Sequence, residues 1–397
     1  MNAMKTTPQS FRLSSRLEGI GEYYFSTKLR EIDELNRQGK SIINLGIGSP
    51  DLPPHPSVVQ ALQEKSILPS SHGYQNYKGI PALREAMSAW YLRNYGVQLD
   101  PATEILPLMG SKEGILHICM TYLQPGDEAL IPDPGYPTYR SAIQLAGATP
   151  VEYRLLEGNN WSPDWSALEK RDLSRVKLMW VNYPHMPTGQ NADTTLFQEI
   201  IDFGRKNQIL ICHDNPYSFI LNETPRSILS IEGAIDVAIE LNSLSKSHNM
   251  AGWRVGMLSG AADRISEVLR FKSNMDSGMF LPVQLAAVAA LQLDTAWYAE
   301  VNATYAARKK KALELLELIG CHPAPGQSGL FLWSGIPAND ADGYTLSDRI
   351  LYGAGVFITP GGIFGSAGNQ YVRISLCASE GKMEEAIERI KIYGSGN

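Results

Sequence analysis

Val237-Ala-Ile-Glu-Leu-Asn-Ser-Leu-Ser-Lys246 is the stretch on which the fold turns. Its first six residues, up to Asn242, have the β-branched, alternating character of a strand. Lys246 therefore stands just beyond a strand's carboxyl end, where open α/β sheets bind their ligands. Ser243 and Ser245 precede it, and Arg254 closes the following run Ser247-His-Asn-Met-Ala-Gly-Trp-Arg254. Two hydroxyls and a guanidinium suit a phosphate, and a lysine turns nucleophilic when desolvation or a nearby cation frees its amine. An isolated Ser-x-Ser-Lys is usually an ordinary solvated lysine. The assignment depends on companions elsewhere in the chain.

The same rhythm continues on both sides. Apolar stretches at residues 104–108, 128–131, 149–153, 176–181, 209–212, 237–241 and 256–259 alternate with helical patterns such as 115–122 and 196–206. Continuous apolar strands joined by helices predict an α/β fold with a mixed, mostly parallel seven-stranded sheet covered by helices. A long helical pattern at 296–319 leaves this unit. Strands at 329–333, 356–359 and 371–375 follow, with a closing helix at 383–393, and read as a smaller α+β domain. The expected division is a large domain of residues 52–294, with an N-terminal arm and small domain formed by 1–51 and 295–397.

Composition narrows the function classes. With 397 residues, 44% of them hydrophobic, the chain buries a large core. A formal charge of −6 without a basic stripe points away from nucleic acid and anionic membrane. The N-terminus lacks the apolar core of a signal peptide, and the most apolar stretch, 285–291, is too short to span a bilayer. Cys119, Cys212, Cys321 and Cys377 are scattered with no C-x-x-C pair, which favours reduced thiols over disulfides or a zinc site. A cytoplasmic protein without a metal is expected.

Four further segments supply companions for Lys246. Gly110-Ser111-Lys112 follows one strand and opens a helix, whose free N–H groups and dipole suit a phosphate, although a plain capping turn reads the same way. Pro132-Asp-Pro-Gly-Tyr136-Pro-Thr-Tyr139 follows the next, and an aromatic there either stacks on a flat ring or packs in a prolyl turn. Asp214 ends an apolar strand three residues before Tyr217, where it would hold a protonated pyridine nitrogen or cap the following turn. Arg373 lies inside the apolar strand Tyr371-Val-Arg-Ile-Ser375 and needs a carboxylate, from the protein or a substrate. Together these parts suit one task, holding pyridoxal phosphate on Lys246.

On these residues the chain resembles the class I/II aminotransferases, fold-type I pyridoxal-phosphate enzymes, from residue 23 onward. The resemblance also draws on Asn44-Leu-Gly-Ile-Gly48-Ser-Pro-Asp51, Tyr74-Gln-Asn-Tyr-Lys-Gly79 and Asn182-Tyr-Pro-His-Met-Pro-Thr-Gly189. It looks nearest to the branch with LL-diaminopimelate and alanine aminotransferases. By this resemblance Lys246 holds the cofactor as an imine and moves the substrate's Cα proton. Asp214 pairs with the ring nitrogen, Tyr217 donates to the phenolic oxygen, and Tyr136 stacks on the ring. Ser111, Lys112, Ser243, Ser245 and Arg254 surround the phosphate. Tyr74 reaches it from the neighbouring subunit of a homodimer with shared sites. Arg373 clamps the α-carboxylate of an amino acid or 2-oxo acid beside the Gly48 backbone. Tyr23 or Tyr24, ahead of the first helix, is placed to close the pocket.

One position departs from the family pattern, which reads Asn-Pro-Thr-Gly where this chain has Met186-Pro187-Thr188-Gly189. Methionine cannot donate the usual hydrogen bond to the phenolic oxygen. Tyr217 alone, Asn182 or a water would then supply it, or transaminase activity has been lost; the first two together are preferred. Competing readings are a lyase, decarboxylase or racemase on the same platform and a non-catalytic pyridoxal-phosphate regulator. A dinucleotide enzyme, suggested by Gly46-x-Gly48, lacks the third glycine of that fingerprint.

Overall fold

The computed structural model describes residues 11–22 and 24–395. Tyr23 lies outside the described residues. The strands in chain order are β1 (Ile43–Asn44), β2 (Ile105–Leu108), β3 (Glu128–Asp133), β4 (Thr149–Arg154), β5 (Val176–Val181) and β6 (Leu210–Asp214), then β7 (Ala238–Ser243), β8 (Gly256–Gly260), β9 (Phe331–Gly335), β10 (Val356–Phe357), β11 (Thr359–Pro360) and β12 (Tyr371–Ser375). Seven of them form one sheet in the order β2-β8-β7-β6-β5-β3-β4. β7, β6, β5, β3 and β4 run parallel, while β8 is antiparallel to both neighbours, β2 and β7. This is the mixed, mostly parallel seven-stranded sheet that the sequence predicts.

Alternation along each strand divides the core between the sheet's two faces. In β5, Leu178 and Trp180 pack on one side with Ile115, Ile118 and Ile143, while Met179 and Val181 join the larger cluster on the other. Both faces are thus covered by helices, as a buried parallel sheet requires. Local chemistry starts those helices. Asp193 caps Thr194–Asn207 by accepting from the Leu196 amide, and Asp294 caps Thr295–Leu318 through the Ala296 amide. Proline opens Pro81–Tyr95, Pro137–Leu145 and Pro56–Ser66, where its missing N–H costs no helical bond.

Beyond the long helix Thr295–Leu318, β11, β12 and β9 form a three-stranded antiparallel sheet. β1 pairs in parallel with β10, so the early segment is laid against the late one. Arg308 on the long helix also grips Asp51 through two hydrogen bonds of 2.6 and 2.9 Å. Two expectations need correction here. The stretch 356–359 is two short strands in different sheets, because β10 follows β1 and the chain then crosses at Ile358 to pair with β12. The strand expected at 329–333 begins at Phe331, since Gly329 has φ +86° and stands outside the ladder. None of the four cysteines is in a disulfide. Among the described residues no helix is long and apolar enough to cross a membrane.

Candidate active site

The carboxyl ends of β5, β6 and β7 open onto a cleft of about 430 Å³. Lys246 enters it from Leu244–Ser247, the single helical turn after β7, whose start is fixed by the Ser245 amide donating to Ser243 Oγ at 3.0 Å. Its Nζ donates to the Gly48 carbonyl at 2.7 Å. Burial lowers the lysine's pKa, and the guanidiniums of Arg373 and Arg254 lower it further. The neutral, nucleophilic amine is favoured accordingly.

Asp214 ends β6 as a 5% exposed carboxylate. Tyr139 donates to its Oδ2 at 2.8 Å, and its buried Oδ1 has no hydrogen-bond partner among the described residues. Burial pushes this carboxyl up to about 6, against the opposing effect of the Tyr139 bond. A buried carboxylate with an open oxygen suits a cationic N–H facing it.

Another wall has the chemistry an anion would need. Helix Ser111–Tyr122 begins at Gly110, which has φ +88° and provides no side-chain cap, so the first N–H groups remain for a ligand. The chain and Arg254 approach this turn closely. A Cβ on Gly110 would lie 2.1 Å from Arg254 Nη2, and one on Gly256 would lie 2.7 Å from the Ser111 nitrogen. Arg254 itself has φ +58° and is braced by a 2.9 Å bond from Nη1 to the Ala251 carbonyl. Burial, then repulsion from Arg254, lowers the Lys112 ammonium's pKa.

Arg373, on β12 and 4% exposed, marks a third wall. It donates to the Gly46 carbonyl at 2.7 Å and meets Met186 Sδ at 3.3 Å. Its guanidinium carbon lies 3.9 Å from the Phe331 ring centre, 4.7 Å from Phe364 and 5.6 Å from Phe25. Such rings hold the guanidinium plane in place by cation–π attraction. Gly48 makes room for this arrangement, since a Cβ there would reach 2.2 Å from the Phe331 ring. Tyr217 packs edge-on against Phe331, and burial raises its phenol's pKa. Asn182, just past β5, donates to the Asp214 carbonyl and accepts from the Met186 amide at 2.8 Å.

One cleft therefore brings together Gly48, Ser111, Lys112, Tyr136, Asn182, Asp214, Tyr217, Ser243, Ser245, Lys246, Arg254 and Arg373. Tyr74 is not among its lining residues, and its side chain is 94% exposed. Sequence reasoning gave no role to Tyr139, which stands three residues after the N-cap Tyr136 and meets its ring edge-on at 5.6 Å. It also passed over Phe25, Leu29, Ile47, Phe331 and Phe364. The signal for Phe331 was its place diagonally across from Arg373 on the paired strand.

A family model for aminotransferases of class I and II matches residues 40–390. The LL-diaminopimelate aminotransferase of Dehalococcoides mccartyi is 40% identical over 96% of this chain and 99% of its own. That of Moorella thermoacetica is 41% identical over 95% and 97%. Among solved structures, apo-BacF from Bacillus subtilis superposes with a TM-score of 0.91 at 37% identity, covering 96% of this chain and 98% of that one. A nucleophilic lysine, a wall suited to an anion and an open buried carboxylate are what pyridoxal phosphate requires of its host, and the fold is that of the fold-type I enzymes using it. Within that class, the chain belongs to the class I and II aminotransferases. It is a pyridoxal-phosphate-dependent aminotransferase for amino acids and 2-oxo acids, which outweighs the lyase, regulatory and dinucleotide readings.

Proposed function

We propose that Lys246 is the residue that holds the cofactor and carries the proton at the substrate's Cα during amino-group exchange. The observation behind this reading is its buried amine, whose unprotonated form is favoured by burial and by Arg373 and Arg254. Pyridoxal phosphate, when bound, supplies the electron sink for the bond broken at Cα. Asp214 would turn its open Oδ1 to the ring nitrogen, and Tyr136 would cover the ring. Tyr217 would donate to the phenolic oxygen, a bond Met186 is chemically unable to make. Asn182 would act beside it by holding the Asp214 and Met186 backbones. Ser111, Ser243, Ser245 and Arg254, with the main chain at Lys112, would hold the phosphate. Arg373 would bind the substrate's α-carboxylate in bidentate fashion beside Gly48.

The wider reading is a cytoplasmic homodimer in which Tyr74 reaches the partner's phosphate site. Each chain would divide into a large domain, 52–294, and an arm with small domain, 1–51 and 295–397. Borohydride reduction of the loaded protein followed by peptide mapping tests the central assignment. The pyridoxyl group is expected on Lys246. Its recovery on another lysine, with Lys246 unmodified, would overturn the reading.

A further inference from the structure

The cleft's charged side chains are Lys112, Asp214, Lys246, Arg254 and Arg373. Each already faces a demand from the cofactor or the α-carboxylate. Lys112 sits close enough to Arg254 to feel its charge, which puts it at the wall suited to an anion. The rest of the lining carries no charge: Phe25, Leu29, Ile47, Phe331 and Phe364 are apolar, with the hydroxyls of Ser26 and Ser49 among them. A donor with a charged distal group would have to leave water there without an ionic partner among the described residues, at a desolvation cost that no charge pair offsets.

Two surface loops extend the argument to what a second subunit would bring. Residues 74–77 and 275–280 touch, since a Cβ on Gly278 would lie 2.6 Å from the Gln75 carbonyl and His72 faces the Phe280 ring at 5.9 Å. Lys272 and Asp276, beside and within the second loop, are charges that could have faced outward. They are instead bound to each other by two contacts of 2.8 and 2.7 Å, with Lys272 only 2% exposed. Lys78 lines a separate hollow with Ser266 and Arg270. The loops therefore turn outward Tyr74, Tyr77, Met275 and Phe280.

We propose that the amino donor carries an uncharged, bulky apolar side chain, aromatic or branched aliphatic. The proposal rests on the aminotransferase reading with shared sites. It sets this chain apart from relatives named for LL-diaminopimelate, whose distal end carries both an ammonium and a carboxylate.

The holoenzyme is mixed in single turnover with phenylalanine, leucine, glutamate, aspartate and LL-diaminopimelate, and the cofactor's conversion to its amine form is followed by absorbance. Phenylalanine or leucine is expected to exceed every charged donor in kcat/KM by at least about tenfold. A charged donor that equals or exceeds both overturns the proposal. Calorimetric titration with 3-phenylpropionate and glutarate, which have no amino group to transfer, reads the pocket independently of turnover. Tighter binding of 3-phenylpropionate supports the proposal, and glutarate binding equally well or better overturns it. Should no donor convert the cofactor, the role given to the cleft fails, and the two carboxylates still decide the character of the pocket.

Discussion

Asp214 is a charge whose cost depends on what faces it. In the protein without cofactor, burial raises its carboxyl from the usual 3.8 to about 6, so the folded chain binds this proton more tightly than the unfolded one. Its contribution is fully present below about pH 4 and is lost as pH rises through about 6, the size being on the order of 3 kcal/mol for a two-unit shift. Apo Asp214→Asn should therefore be more stable than the apo wild type by roughly 2–3 kcal/mol at pH 8, with the gap closing by pH 4. Urea unfolding across that range, followed by tryptophan fluorescence, measures it. A gap that does not change with pH would show that the carboxylate is not the source. If Asp214 pairs with the ring nitrogen as proposed, Asn would also remove that charge, and cofactor should stabilise the wild type more than the variant. Asp214, Arg373 and Lys246 were legible in the sequence because a charge beside or inside an apolar strand needs a reason. Tyr139 and Phe331 were not, because an aromatic in an apolar setting reads as core until its neighbour across the turn or sheet is known.

Helix Ser111–Tyr122 owes its proposed role as a phosphate site to what it leaves unmade. Its first turn has no side-chain cap, and Gly110 admits Arg254 where any Cβ would collide. Gly110→Ala should cost about 1–3 kcal/mol because its φ of +88° with ψ of 152° is a combination essentially reserved for glycine, and the displaced guanidinium should weaken pyridoxal-phosphate binding by about tenfold or more. Gly96→Ala is the control, since Gly96 has φ +68° and nothing within 4 Å of its built Cβ. It should show the strain with unchanged cofactor affinity in equilibrium dialysis. Equal affinity loss in both variants would mean that strain, not Arg254, governs binding. The elements themselves were readable to different depths. The sheet's strands announce themselves as apolar runs between turn signals, and the Val176–Val181 strand matches its sequence pattern at both ends. β10 and β11 did not, because four consecutive residues carry no mark of a change of sheet. That change is set by distant partners, β1 and β12.

The whole molecule exposes aromatic and apolar side chains that a lone chain has little reason to keep in water. Tyr74 is 94% exposed, Ile67 79% and Met275 59%, and they lie on or beside the touching loops at 67–80 and 275–280. Exposed apolar side chains on these loops are what the proposed dimer would cover. A symmetric dimer would carry each Tyr74 to the other chain's cleft, and complementation tests that arrangement. Lys246→Ala removes the residue proposed to hold the cofactor, and Tyr74→Phe removes a hydroxyl from the opposite subunit's site. The test requires that Tyr74→Phe alone first be shown to be severely impaired. In a heterodimer of the two variants, one site carries both defects and the other carries neither. Equal amounts exchanged at random give half heterodimers, so activity should recover to about a quarter of the wild type. The recovery should depend on subunit exchange, absent on simple mixing and present after dissociation and reassembly. Exchange proven by mass spectrometry of the intact dimers, without recovered activity, would place Tyr74 and Lys246 in the same subunit's site or Tyr74 outside it.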